Sequence, residues 1–170
     1  KLVPGGYVKE KGVDCVLNKM EHTEYRRVVG ELLWLQTTTR PDIGYKVMEL
    51  STKLQEPTIR DMIKANKIIE RVKKENVYLK YVPLDYNKLE FHVWCDASFA
   101  RGDLQTSCGG MICTLSDGIL SVPILWRSTK IGRVVRPTLA GDIITCADSL
   151  DRIFPVQQIS KGLVQRNITV

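Results

Sequence analysis

The chain has 170 residues, and its content of 44% hydrophobic and 26% charged residues is that of a globular protein, which excludes wholesale disorder. Its net charge of +6 favours a polyanionic partner such as nucleic acid, although many basic proteins bind none. No apolar run reaches the roughly 18 residues of a membrane span, so we expect no membrane partner.

The five cysteines form no C-x-x-C pair, and only two histidines accompany them, which excludes a usual zinc cluster. Their odd number and irregular spacing favour reduced thiols in an intracellular compartment, either the cytoplasm or the nucleus. The chain shows no signal peptide and does not begin with Met, so we interpret it as a piece of a longer protein.

The first half of the chain is predicted to be mainly helical. Residues 1–20 contain three glycines and mixed charge, which indicate a loop or a short strand. Apolar side chains recur at helical spacing through "EHTEYRRVVGELLWLQ", with Thr23 as the candidate N-cap. After the interruption "TTTRPD", Pro41 is expected to open a second helix that runs to about Leu54.

A third helix is predicted from a cap at Thr58 to about Lys74, and its cations share one face. Their spacing of four, three, four and three residues places them within roughly 80° of arc, opposite an apolar face. One interpretation is a solvated face over a buried apolar stripe, and the other is a row of cations along a phosphate backbone. The cations are Arg60, Lys64, Lys67, Arg71 and Lys74.

After Asn76 the pattern changes to short β-branched and aromatic segments that are typical of strands. A three-stranded antiparallel meander is predicted over residues 89–96, 107–115 and 119–128, and Asp117-Gly118 is a strong signal for a hairpin turn. Three tryptophans, at positions 34, 94 and 126, are interpreted as core residues and not as platforms for base stacking.

Helical spacing returns from Thr138 to about Phe154, where Pro155 is expected to mark a restart. The last four residues, "NITV", have the pattern of a strand that is just beginning. These elements predict an α+β protein with a boundary near residue 85, helical before it and a meander plus helix after it.

Asp96, in "VWCDASFA" at the end of the first predicted strand, is a candidate metal ligand. Phosphoryl-transfer sites hold two divalent ions between carboxylates, and Mg²⁺ prefers oxygen ligands. The natural second acid is Asp142, in the first turn of the helix after the meander, because Asp148 and Asp151 lie about 240° and 180° around that helix from it. The alternative is that Asp96 is a surface residue and that Asp142 only favours the helix dipole.

These segments resemble, in their order and spacing, the Pol polyprotein of copia-type retrotransposons at the junction of reverse transcriptase and ribonuclease H. "YRRVVGELLWLQTTTRPDIGYKVMELS" is similar to the helical segment after the polymerase palm, and "VWCDASFA" to the first ribonuclease H strand with its catalytic aspartate. "SCGGMICTL" and "ILWRSTK" are similar to the next two strands, and "RPTLAGDIITCADSLD" to the following helix.

The resemblance implies that residues 1–85 are a helical C-terminal segment of reverse transcriptase, thumb-like or connection-like, and that residues 86–170 are a truncated ribonuclease H-like domain. It implies that Asp96 and Asp142 are catalytic and bind Mg²⁺ in the intact parent, although Asp142 stands where the family has a glutamate. The family's third and fourth acids and the paired aspartates of the polymerase have no counterpart here, so we expect the fragment alone to be inactive.

The implied partners are an RNA–DNA hybrid or other nucleic acid and the remainder of the Pol polyprotein. The five cations of the third helix, together with Lys130 and Arg133, are the candidate nucleic-acid contacts. Two alternatives stay open: a nucleic-acid-binding module without catalysis, and a decayed copy of a retroelement without function. Decay is favoured by Pro137, Gly141 and Asp142, three departures from one motif of the family.

Overall fold

The structure, a computed structural model, describes residues 12–101, 106–132 and 138–164. Four α-helices and one three-stranded antiparallel sheet occur in these ranges, so the expected α+β class is confirmed. The chain divides into two compact units between Tyr78 and Leu79, against an expected boundary near residue 85. No helix in the described part of the chain is long and apolar enough to cross a membrane.

The first unit is built from helices. Helix α1 spans Lys19–Thr38, a 3-10 turn spans Pro41–Ile43, α2 spans Gly44–Ser51 and α3 spans Ile59–Lys74. The predicted second helix is therefore shorter than expected and begins with a 3-10 turn. Thr58 precedes α3 as predicted, and Asp61 accepts hydrogen bonds from the Thr58 N–H and hydroxyl, both at 2.9 Å.

The prediction that Thr23 caps α1 is wrong, because Asn18 holds that position. The Asn18 side chain accepts from the N–H groups of Met20 and Glu21 at 3.0 Å, and Glu21 accepts in return from the Asn18 N–H at 2.8 Å. This reciprocal capping box starts the helix five residues earlier than Thr23 would. The Thr23 hydroxyl donates instead to the carbonyl of Lys19 within the helix.

The core of the first unit lies between the apolar faces of its three helices. Tyr25 on α1 is fully buried, and its hydroxyl donates to the Leu50 carbonyl of α2 at 2.9 Å. Ile59, Met62 and Ala65 are the buried residues that begin the inner face of α3. The buried phenol ring and its hydrogen bond hold α1 against α2. The cations of α3 therefore belong to a well-packed group of helices.

The second unit is a meander covered by a helix. Strands β1 (Glu90–Arg101), β2 (Thr106–Ser116) and β3 (Ser121–Lys130) lie in the order β1-β2-β3, and all pairs are antiparallel, as predicted. The predicted turn after β2 is also present. Gly118 adopts a φ of +88°, and the Asp117 carboxylate accepts from the N–H groups of Ile119 and Leu120. Hydrogen bonds from the N–H groups of Leu120, Asp85 and Ile119 lower the pKa of Asp117 to about 2.

Helix α4 (Thr138–Val164) covers one face of the sheet, and its buried face repeats every four residues at Thr145, Ser149, Ile153 and Gln157. The helix approaches β2 most closely at Gly109, where an added Cβ would stand 2.5 Å from the Thr145 hydroxyl oxygen. Glycine is therefore the residue that admits this contact.

The expected restart at Pro155 is wrong, because α4 continues through this residue. Proline removes one backbone donor and crowds the preceding turn, which disfavours a helix interior. Here buried Ile153 and Gln157 anchor the helix to the sheet on either side of it, so tertiary packing offsets that cost. "NITV", the predicted strand start, lies outside the described residues.

Two of the three tryptophans are not core residues. Trp34 is 68% exposed on α1, and Trp94 is 52% exposed on the sheet face that α4 leaves uncovered. Trp94 lies opposite Ile112 in the register, and Ile112 lies opposite Trp126, so the three form a row across that open face. Periodicity alone did not reveal which face of the meander the helix would cover.

Candidate metal site and candidate nucleic-acid interface

Three contacts determine which side chains of β1 point toward α4. The Cβ of Ala97 lies 3.4 Å from the position that a Cβ on Gly141 would occupy. Interactions with Cys146 and Ser149 of the helix shift the pKa of the Cys95 thiol, and Phe91 packs in one apolar cluster with Ile153. The odd-numbered residues of β1 therefore face α4.

Asp96 consequently points to the other face of the sheet, because successive side chains of a strand alternate. It is exposed, its neighbour across the sheet is Gly110, and it shares its face with Trp94. The glycine leaves open space beside the carboxylate but provides no ligand.

Asp142 lies on the helix side of β1. It follows Gly141, which faces Ala97, and it is exposed in the second turn of α4. Burial is the main cause that raises the pKa of the Cys95 thiol, followed by the hydrogen bond with Cys146, and the Asp142 charge adds to the shift. Asp142 is thus close enough to act on the residue next to Asp96.

By alternation, Asp96 therefore points away from the face of β1 that α4 covers, whereas Asp142 belongs to α4 itself, and both side chains are exposed. Among the described residues, no group of three or more His, Cys, Asp or Glu side chains is arranged to hold a metal ion. The acids described here do not fit a complete Mg²⁺ site, and the pairing of Asp96 with Asp142 on a metal stays a prediction.

Asp148 and Asp151 lie away from Asp142. Asp148 pairs with Arg152 at 3.0 Å and lines a cavity of about 310 Å³ between α4 and the β2–β3 side of the sheet. Asp151 lines a neighbouring cavity with Arg152 and Pro155. Both acids thus lie toward β3, whereas Asp142 lies toward β1.

The cations of α3 are largely paired with acids of the same unit. Arg60 pairs with Asp14 at 2.8 Å, and Lys64 pairs with Glu49 at 3.0 Å. Arg71 pairs with Glu75 at 2.7 Å and lies 3.7 Å from Asp42. The pairs of Arg60 with Asp14 and of Arg71 with Glu75 are exposed to water and contribute little to stability, so a phosphate group can compete for these cations at little cost.

Lys67 and Lys74 have no ion pair within the described ranges. Lys67 joins Lys64 and Arg71 along a cleft of about 230 Å³ between α2 and α3, and Lys46 of α2 completes this group of four cations. We call Lys46, Lys64, Lys67 and Arg71 the basic cleft. The sequence analysis did not identify Lys46, because only the packing of α2 against α3 brings it beside the cations of α3.

The remaining predicted contacts lie elsewhere. Lys130 is exposed at the end of β3, and Arg133 lies outside the described residues. Lys130 also lines the cavity that contains Asp148. The structure therefore gathers three of the seven predicted contacts at the basic cleft and leaves Lys130 in the other unit.

The motif "TTTRPDI" has a structural role that the sequence alone did not reveal. Arg40 is only 5% exposed, and its guanidinium donates to both carboxylate oxygens of Asp42 at 2.8 and 3.0 Å. It also donates to the carbonyls of Glu75 at 3.1 Å and Val72 at 3.4 Å, at the end of α3. The hydrogen bonds from Arg40 are the main cause that lowers the pKa of Asp42. The motif thus fastens the end of α1 to the C-terminus of α3.

The chain is similar to several proteins of retrotransposons. It is 33% identical over 134 residues, 77% of the chain, to a transposon Ty5-1 protein of Saccharomyces cerevisiae. It is 32% and 31% identical over 131 residues, 75% of the chain, to the retrovirus-related Pol polyproteins of transposons RE1 and RE2 of Arabidopsis thaliana. The chain spans 42% of the yeast protein and 8% of each Arabidopsis polyprotein.

No family model and no solved structure matches the chain. Its relation to known proteins therefore rests on these sequences, which support a fragment of a retrotransposon Pol polyprotein.

Proposed function

We propose that the chain is a fragment of a copia-type Pol polyprotein that runs from the end of the reverse transcriptase into a ribonuclease H domain. The observation that carries this proposal is the similarity to two Pol polyproteins and a Ty5-1 protein over about three quarters of the chain. The order of elements supports it: a helical unit, then three antiparallel strands, then one helix that packs on the sheet.

We further propose that the parent copies RNA into DNA and hydrolyses the RNA strand of RNA–DNA hybrids, and that this fragment alone does neither. Asp96 and Asp142 are the proposed metal-binding acids of the nuclease domain. Alternation along β1 turns Asp96 away from the face that α4 covers, and this separation from Asp142 supports an inactive fragment. Acids from other segments of the parent would have to complete the site.

The inactivity is tested with a hybrid that carries a fluorophore on its RNA strand, incubated with the chain and Mg²⁺. We expect the same background cleavage from the chain and from Asp96→Asn, which changes only the charge of that side chain. Asp148→Asn is the matched control on α4, since Asp148 lies toward β3. Rapid cleavage that Asp96→Asn abolishes and Asp148→Asn leaves intact would refute the proposal.

A second candidate function, nucleic-acid binding without catalysis, is favoured by the basic cleft. Three of its cations follow one face of α3 and the fourth comes from α2, so a phosphate in the cleft would be close to several positive charges. Binding carried by such contacts weakens steeply with salt because counterions are released from the nucleic acid.

The binding test measures fluorescence anisotropy of a labelled hybrid between low and moderate salt. Reversing Lys64, Lys67 and Arg71 to Glu should weaken binding at least tenfold. The control reverses three exposed lysines outside the cleft, Lys19, Lys80 and Lys88, and changes the net charge by the same amount. Equal losses in both triple variants, or affinity that does not depend on salt, would exclude the cleft as the binding surface.

A further inference from the structure

Two cysteines meet at the contact of β1 with α4. Cys95 and Cys146 are both exposed free thiols, and the interaction of Cys146 with Cys95 helps to raise the pKa of the Cys95 thiol. The other cysteines differ from this pair: Cys108 and Cys113 are buried, and Cys15 is exposed in the first unit.

The fold itself determines this meeting. Ala97 contacts α4 at Gly141, and Phe91 clusters with Ile153, so the strand and the helix run past each other in opposite directions. Cys95 lies two residues from Ala97, which is about 7 Å along a strand. A distance of about 7 Å along a helix is four to five residues from Gly141, which is the position of Cys146. Contacts that do not involve sulfur therefore place Cys95 and Cys146 at the same height along the packed strand and helix.

We propose that Cys95 and Cys146 are a modification site, at which an oxidised low-molecular-weight disulfide of the glutathione class converts the pair into an intramolecular disulfide. One protein thiol, as its thiolate, attacks a sulfur of the small disulfide and releases one small thiol. The second protein thiolate attacks the mixed disulfide at the protein sulfur and releases the other small thiol. Two protein thiols are oxidised and one small disulfide is reduced to two thiols, so atoms and electrons balance.

The bond would join α4 covalently to the edge strand of the sheet. It would close a loop of about 50 residues that contains β2 and β3, and cross-links over loops of this length constrain the unfolded chain strongly. The helix and the strand hold the two sulfurs together in the folded protein, so the second exchange step should outrun attack by another small thiol. The expected product is a protein disulfide without a stable mixed disulfide.

The test treats the native chain with oxidised glutathione, quenches the reaction with acid, alkylates the free thiols and maps the peptides by mass spectrometry. We expect a cross-linked pair of peptides that contain Cys95 and Cys146, lighter by two hydrogen atoms than the sum of the reduced peptides. Cys15 should carry glutathione or the alkyl group without a cross-link. The thermal unfolding midpoint of the oxidised protein should rise by several degrees and return after reduction.

Two serine variants provide the controls. Cys146→Ser should accumulate glutathione on Cys95, and Cys95→Ser should accumulate it on Cys146, since neither has a second thiol to resolve the mixed disulfide. Chain treated in concentrated urea should give mixed disulfides and scrambled pairs. Stable glutathione on both cysteines of the native wild-type chain, or a native cross-link at another pair, would overturn the proposal.

Discussion

Arg40 is predicted to contribute more to the stability of the first unit than any exposed arginine. Replacing it with alanine removes two hydrogen bonds to Asp42 and the donors to the carbonyls of Val72 and Glu75. Breaking a buried ion pair by deleting one partner costs about 3–5 kcal/mol. Because the Asp42 side chain keeps 22% of its exposure and water can solvate it again, we expect the lower end, about 3 kcal/mol.

The assay is urea unfolding of the chain followed by far-UV circular dichroism. Arg27→Ala is the matched control, because Arg27 also pairs with two carboxylates, Glu24 and Glu31, but on the exposed face of α1. We expect that control to lower the free energy of unfolding far less than Arg40→Ala, because its ion pairs are exposed to water and screened. Equal losses for the two variants, or a loss below about 1 kcal/mol for Arg40→Ala, would refute the role given to the motif.

The same pair predicts a dependence on pH. Hydrogen bonds from Arg40 lower the pKa of Asp42 below its ordinary value of 3.8, so the carboxylate contributes stability that is fully present above that value. This contribution is lost as the pH falls through the lowered pKa. The free energy of unfolding should therefore fall less steeply in Arg40→Ala than in the wild type below about pH 4.

Three further changes test the fold. Gly109→Ala should lower the free energy of unfolding by about 1–3 kcal/mol, because its Cβ would collide with the Thr145 hydroxyl. Gly30→Ala on α1 should raise it by about 1 kcal/mol, since no atom lies near the added Cβ. Thermal unfolding measures both changes. Pro155→Ala should raise the free energy of unfolding by on the order of 1–3 kcal/mol by restoring a helix-interior N–H, and an unchanged midpoint would contradict this. Asp117 should titrate near pH 2 by NMR, and the stability that its turn gains should be present above the unfolded value of 3.8 and vanish as the pH falls toward 2.

Signals that act within a few residues were sufficient to predict much of the fold. The turn at Asp117-Gly118 is present as predicted. It depends only on neighbouring residues, because Gly118 adopts the positive φ and the Asp117 carboxylate accepts from the following N–H groups. Thr58 before α3 is a second local signal, and it caps this helix as predicted. The predicted start of α1 at Thr23 is wrong, although Asn18 and Glu21 have the spacing of a capping box. The glycines before Asn18 favoured a loop in this part of the sequence.

Contacts between residues that are far apart in the chain could not be predicted from the sequence. Arg40 bonds to carbonyls more than thirty residues away, and the local pattern showed only an interruption between helices. Lys46 joins the basic cleft through helix packing. For the acids, the sequence identified Asp96 and Asp142 as candidates, but only the contacts of Cys95 and Ala97 reveal which face of β1 each acid approaches.

Mg²⁺ binding is the most direct test of the proposal that Asp96 and Asp142 form only part of a metal site. Backbone amide resonances of Asp96 and Asp142 are followed by NMR while Mg²⁺ is added at constant ionic strength. We predict small shifts that do not saturate together at millimolar Mg²⁺. One shared saturable site, lost in both Asp96→Asn and Asp142→Asn, would contradict it.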